Sequence, residues 1–129
     1  MQVVAQARHY FGLHFQEPIR ITEVPPALGI SQHCLDLSFD QVRGMTPAQA
    51  LLEHRLNRLF AALTEQPQQG LEPAIAACGL GSTSGVVPLF EQTFGIDMPS
   101  FLHTCRQAAE DRLFRRHHPE PEALVLPTP

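Results

Sequence analysis

Three groups of residues in this 129-residue chain have side chains capable of chemistry, and none has the spacing that catalysis needs. His117 and His118 stand close to Glu120 and Glu122, donors that suit a divalent metal. They lie in a proline-rich stretch that does not preorganise ligands, so a solvated tail is the favoured reading. Cys34, Cys78 and Cys105 are odd in number and far apart. They fit neither a metal pattern nor a disulfide framework, and point to thiols in a reducing cytosol. Without a cationic cluster beside Cys34 or Cys78 to lower its pKa, buried inert thiols are expected rather than redox sensors. Serine, histidine and aspartate all occur, but no nucleophile elbow, phosphate loop or carboxylate pair brings them together. The sequence therefore argues against an enzyme and implies no cofactor.

Arginine supplies every basic side chain; there is no lysine, and the net charge is −4. Residues 1–66 hold five Arg against six acids, 67–106 one against three, and 107–129 three against four. No segment carries the basic footprint by which phosphate is usually neutralised. Arg43, Arg55 and Arg58 each have a carboxylate within a turn or two (Asp40, Glu53), so helical ion pairing is their expected role ahead of phosphate contact. No apolar run of about 18 residues is present to span a membrane. The N-terminal stretch lacks the apolar core and cleavage site of a secretory signal. A cytoplasmic location is expected.

The elements that would position these residues are helices. Residues 2–16 place Val3, Val4, Ala7, Tyr10, Phe11 and Phe15 near the i, i+3, i+4, i+7 pattern. Ile19 to Leu28 predicts a short helix capped by Thr22 and ended by Gly29, irregular because of Pro25 and Pro26. Ser31 caps a third helix over 32–43, with Leu35, Phe39 and Val42 facing inward and Cys34 or Ser38 at the margin. Gly44 closes it, and Thr46-Pro47 opens a long helix to about Thr64 with a stripe of Leu52, Leu56, Leu59, Phe60 and Leu63. A polar linker, EQPQQG, follows. Leu71 to Cys78 is a small-residue helix ended by Gly79. Ser82 caps the next, with Val86, Leu89 and Phe90 in the core and a kink or late start expected from Gly85 and Pro88. Pro99 opens a last helix to about Leu113. The pattern of 31–59 is thus repeated more weakly near Gly79 to Pro99. The boundaries expected are 1–46 and 67–113 for two small helical subdomains, 47–66 for the linker helix and turn between them, and 114–129 for a disordered tail.

These residues resemble the helix-turn-helix domain of the AraC/XylS family of bacterial transcription regulators. The first unit matches in Gly29-Ile30-Ser31, Leu35, Phe39, Gly44 and Thr46-Pro47, with Arg55-Leu56 following on the linker helix. The second matches in Ala74, Cys78-Gly79, Ser84, Phe90, Phe94-Gly95 and Pro99. The similarity spans roughly residues 5–105, with one extra residue between Gly95 and Pro99. It implies an all-α fold of about seven helices, with two helix-turn-helix subdomains bridged by a long helix and read into successive major grooves. A rigid helix of about 30 Å suits two reading heads one turn of DNA, ~34 Å, apart.

Carried over by position, Gln32, His33, Asp36 and Leu37 on the first reading helix face the bases, and Thr83, Ser84 and Pro88 on the second. Gln32 suits adenine and Asp36 suits the amino group of cytosine; Arg43 would contact phosphate. The resemblance implies double-stranded promoter or operator DNA as partner, with RNA polymerase as a second and no membrane. Two departures stand out. Leu37 and Pro88 occupy positions that are commonly arginine in the family. Asp40 and Glu91 stand where a basic residue commonly faces phosphate. These changes imply weak affinity with little salt dependence. The competing expectation is a relative that keeps the fold, has lost DNA recognition, and serves as a protein-interaction module.

Overall fold

Four of the five long helices begin at a residue whose side chain satisfies a backbone N–H that the helix itself leaves unpaired; the first, starting after Gln2, does not. In the computed structural model, which describes residues 2–117, the helices are α1 (Val3–His14), α2 (Val24–Leu28), α3 (Gln32–Arg43), α4 (Pro47–Glu65), α5 (Leu71–Ala77), α6 (Thr83–Phe94) and α7 (Met98–His117). Short 3-10 turns at Ile21–Glu23 and Pro67–Gln69 precede α2 and α5, and no strand occurs among the described residues. The Ser31 hydroxyl accepts from the N–H of Cys34 at 3.1 Å to start α3. Thr46 and Gln49 form a reciprocal capping box at α4, with bonds of 2.9 and 3.1 Å and Pro47 in the first turn. The Ser82 hydroxyl accepts from Gly85 at 3.3 Å, and the Asp97 carboxylate accepts from the N–H of Ser100 at 3.1 Å.

The chain is an internal repeat with a period of 51 positions. Ser31 and Ser82 cap the third and sixth helices, both twelve residues long. Gly44 and Gly95, at φ 65° and 73°, end them in the left-handed conformation that disfavours a Cβ. Thr46 and Asp97 cap the next helices in turn. Buried pairs keep the same interval: Val24 with Ile75, Leu35 with Val86, Phe39 with Phe90, and Leu51 with Leu102.

Two apolar clusters result. The first joins Val4, Ala7, Phe11, Val24, Leu35, Phe39, Ala50 and Leu51, with the rings of Phe11 and Phe39 stacked at 6.2 Å. The second joins Leu56, Leu59, Leu63, Ala74, Ile75, Cys78, Val86, Phe90, Met98 and Leu102. Phe60, Phe90, Phe94 and Phe101 form its aromatic centre, with centroids 4.5–6.3 Å apart. α4 contributes to both clusters.

Several expectations are corrected here. Thr22 caps nothing: it sits inside the 3-10 turn, and α2 restarts at Val24 without a side-chain cap. That restart places Pro25 and Pro26 in the first turn, where their missing N–H groups are tolerated. Val42 faces out, 54% exposed, because Leu35 and Phe39 alone fill the space under α3. Near the start of α4 the buried residues are Pro47, Ala50 and Leu51, while Leu52 is half-buried. Cys34 is half-buried, unlike Cys78 and Cys105. α6 runs unbroken from Thr83 through Pro88. The proline removes one helical N–H bond, and the carbonyl it would have used belongs to exposed Ser84, where water can serve. α7 continues to His117, four residues beyond Leu113. Arg115, Arg116 and His117 in its last turn oppose the negative end of the helix dipole. The remainder of the expected tail lies outside the described residues, as does His118 with Glu120 and Glu122. Among the described residues no group of three or more His, Cys, Asp or Glu side chains could hold a metal, and no helix is long and apolar enough to cross a membrane.

Candidate nucleic-acid interface

α3 presents Gln32, His33, Asp36 and Leu37 outward, all exposed. Leu35 and Phe39 on the opposite side are fully buried, so packing fixes the rotation of the helix and with it the direction of the exposed residues. Gln32 and Asp36 meet one turn apart: the Gln32 amide donates to the Asp36 carboxylate at 2.9 Å. The bond uses one donor of the first side chain and one acceptor site of the second, leaving the amide oxygen and the other carboxylate oxygen available. Leu37 is 44% exposed. Asp36 and Asp40 also line a cleft of about 450 Å³ with Gly44, Met45, Thr46, Pro47 and Gln49. An anion approaching the N-terminus of α4 there meets two carboxylates, which oppose the attraction of the helix dipole.

Arg43 lies at the other end of α3, about 16 Å along the axis from Gln32. Its guanidinium donates to Glu53 on α4 at 2.6 Å, so the pair crosses between helices instead of joining Arg43 to Asp40. Both side chains are partly exposed, 25% and 40%.

α6 repeats the arrangement with a different surface. Thr83 is half-buried, and Ser84 and Pro88 are exposed. The Ser84 hydroxyl lies 3.4 Å from that of the cap Ser82. Glu72, Ile75 and residues 81–84 line a cleft of about 430 Å³ at the start of this helix. Glu91 is exposed, and no arginine occurs anywhere on α6.

Arg55 and Arg58 do not pair with Glu53 as expected. Arg55 donates through Nε to the carbonyl of Phe15 at 2.9 Å and through Nη2 to the carbonyl of Glu17 at 2.8 Å. Arg58 lies over the Phe15 ring, 5.4 Å from its centroid. Burial lowers the pKa of Arg55 below the usual arginine range. These contacts join residues 38 and 40 positions apart, beyond the reach of local spacing rules. The sequence repeat marks the arginine but not its partners: 51 positions on stands Arg106, which likewise donates through Nε to a carbonyl, that of Pro67, at 2.9 Å.

Two helix-turn-helix units in tandem on one shared helix define a class of two-headed helical domains. The particular fold is that of AraC-type DNA-binding domains. The chain superposes on a transcriptional regulator with an AraC-type DNA-binding domain from Chromobacterium violaceum with a TM-score of 0.75 and 24% identity, over 81% of this chain and 93% of that one. A probable AraC family transcriptional regulator from Rhodopseudomonas palustris CGA009 gives 0.73 and 21%, over 81% and 98%. The C-terminal domain of AraT, a response regulator from Geobacillus stearothermophilus, gives 0.71 and 18%, over 81% and 86%. At these identities the likeness is one of fold. No protein-family model matches the chain, and no curated protein does.

Proposed function

We propose that this chain is a sequence-specific DNA-binding domain of a transcription regulator, with α3 and α6 entering successive major grooves of promoter or operator DNA. The observation that supports this best is the paired geometry. Two twelve-residue helices, each capped by serine and anchored by a leucine or valine and a phenylalanine, are tied to one nineteen-residue helix. That shared helix is about 28 Å long, close to the ~34 Å turn of the duplex. In this reading Gln32 contacts adenine, Asp36 accepts from cytosine, and Leu37 meets a thymine methyl group. His33, Thr83, Ser84 and Pro88 complete the two contact surfaces. Arg43 reaches phosphate only at the expense of its bond to Glu53. The setting is the cytoplasm, with RNA polymerase as a second partner.

Charge favours a second reading, a domain of the same fold that binds protein in place of DNA. Asp36, Asp40 and Glu91 are exposed on the two outward helices, and the one arginine on them is held by Glu53. Fluorescence-anisotropy titration against random duplex DNA at about 50 mM salt separates the two. The DNA reading expects association at tens of micromolar protein or below, in the range of ordinary non-specific binding. Absence of any binding there sinks it and leaves the protein-binding reading. Where binding occurs, Gln32→Ala and Asp36→Ala relax base preference, whereas Arg43→Ala weakens all sequences alike.

A further inference from the structure

Phe15 sits just past the end of α1, a helix whose buried residues Val4, Ala7 and Phe11 belong to the first cluster. Phe15 itself packs against the second. Its ring meets the ring of His54 edge-on, centroids 5.4 Å apart, and carries the Arg58 guanidinium on its other contact. Its carbonyl accepts from Arg55. The same carbonyl faces Gly79, in the turn between α5 and α6. A Cβ built on Gly79 would overlap the Phe15 oxygen and come within 3.2 Å of Arg55 Nε. The backbone of the first unit therefore touches the backbone of the second at a place that only glycine permits, and φ there is 75°. α1 ends without a glycine cap; the His14 carbonyl accepts from the N–H of Glu17, and Arg55 takes up the carbonyls of Phe15 and Glu17 just past the helix end.

The units are otherwise joined along the chain by α4. A single helix fixes the distance between two bodies but bends readily, since helices in proteins are rarely straight. A second strut, away from the helix axis, removes that freedom. We infer that the junction of Phe15, Arg55 and Gly79 is a positioning device that sets the angle between α3 and α6, with Arg55 as its principal residue. Arg106 provides the contrast. It makes the same kind of bond to Pro67, but both partners lie beyond α4 on the second unit's side, so it leaves the angle between units alone. The consequence for DNA rests on the reading proposed above: a fixed angle makes recognition depend on the spacing of two half-sites.

Residual dipolar couplings on the isotopically labelled full chain test the junction without DNA. Couplings from α1–α3 and from α5–α7 should fit one alignment tensor in the unaltered protein and in Arg106→Met, but two different tensors in Arg55→Met. Arg55→Lys, which keeps the charge and one of the two bonds, should stay folded and show a smaller divergence. Gly79→Ala, whose Cβ would overlap the Phe15 carbonyl, should reorient the units by a second route. A single shared tensor in Arg55→Met, or in Arg55→Lys should the first not fold, overturns the inference. Equal divergence in Arg106→Met overturns it too, because the effect would then be general loosening. A second arm uses a duplex selected by the unaltered protein from a random pool. Inserting about five base pairs, half a turn, between its two contacted halves should abolish binding by the unaltered protein and reduce it less for Arg55→Met. Failure to select any duplex removes the DNA reading while the couplings still decide the junction.

Discussion

The two halves of the molecule solve one construction problem with different materials. Where the first half joins the end of its outward helix to the next helix by an ion pair, Arg43 to Glu53, the second has Phe94 and Thr104 at the equivalent positions. Phe94 packs on Phe60 and Phe90 at 4.9 and 4.7 Å. Where the first half buries one stacked pair of phenylalanines, the second assembles four rings. His54 in the first half corresponds to Cys105 in the second. The conserved interval of caps, glycines and buried residues across this change shows that the frame depends on backbone termination and on a few apolar positions. The remaining contacts can be polar or aromatic so long as they close the same gap.

The sharpest way to break the correspondence is at its glycines. Gly95→Ala places a Cβ in open space and should cost only the left-handed penalty, about 1–2 kcal/mol. Gly79→Ala adds overlap with Phe15 and should cost about 1–3 kcal/mol more, read as the difference in urea midpoints at equal slope. Equal losses would mean the Phe15 backbone moves away freely.

A smaller effect separates the ion pair from its aromatic counterpart. Glu53→Gln should destabilise by less than about 1 kcal/mol, because the pair is partly exposed. The loss should shrink in 1 M salt, whereas that of Phe94→Leu should not. A salt-independent loss in Glu53→Gln would show that its hydrogen bond and packing matter more than its charge.

The smallest effect is expected from His54 and Cys105. Burial, and then Arg58, Arg8 and Arg55, lower the His54 pKa. The unfolded chain then binds the proton first, so stability is full above the ordinary histidine pKa of about 6.5 and falls as pH drops below it. Burial raises the Cys105 pKa against the opposing effect of Arg112. There the unfolded thiol loses its proton first, and stability declines as pH rises through the ordinary thiol range. Melting temperatures across acid and alkaline pH should lose the acid slope in His54→Gln and the alkaline slope in Cys105→Ala. An unchanged acid slope in His54→Gln would assign that slope to other groups.

What was legible in the sequence is what short-range rules govern. Ser31, Thr46, Ser82, Gly44 and Gly95 mark the helix ends, and Leu35 with Phe39 orients α3. The outward positions of Gln32, His33, Asp36 and Leu37 follow from these. The stripe on α4 was harder because the helix serves two clusters on two faces. Leu51 and Leu56 differ by about 140° around the axis, and a single-stripe reading favours Leu52 over Leu51. Val42 fits the inward period but extends past the edge of the packed surface. The partners of Arg43 and Arg55 escape a local reading because they are brought in by the fold, from another helix and from the end of α1.

α4 is at once the last helix of the first repeat and the first helix of the second, so neither repeat owns all of its own core. A folding intermediate with only the first half formed leaves Leu56, Leu59 and Leu63 uncovered; one with only the second half formed uncovers Ala50 and Leu51. Both carry a penalty in exposed apolar surface that grows until the other half docks. Sharing one helix thus converts two small and individually marginal units into one cooperative folding unit. The boundary between the repeats is a line in the sequence that the energetics of the molecule do not respect.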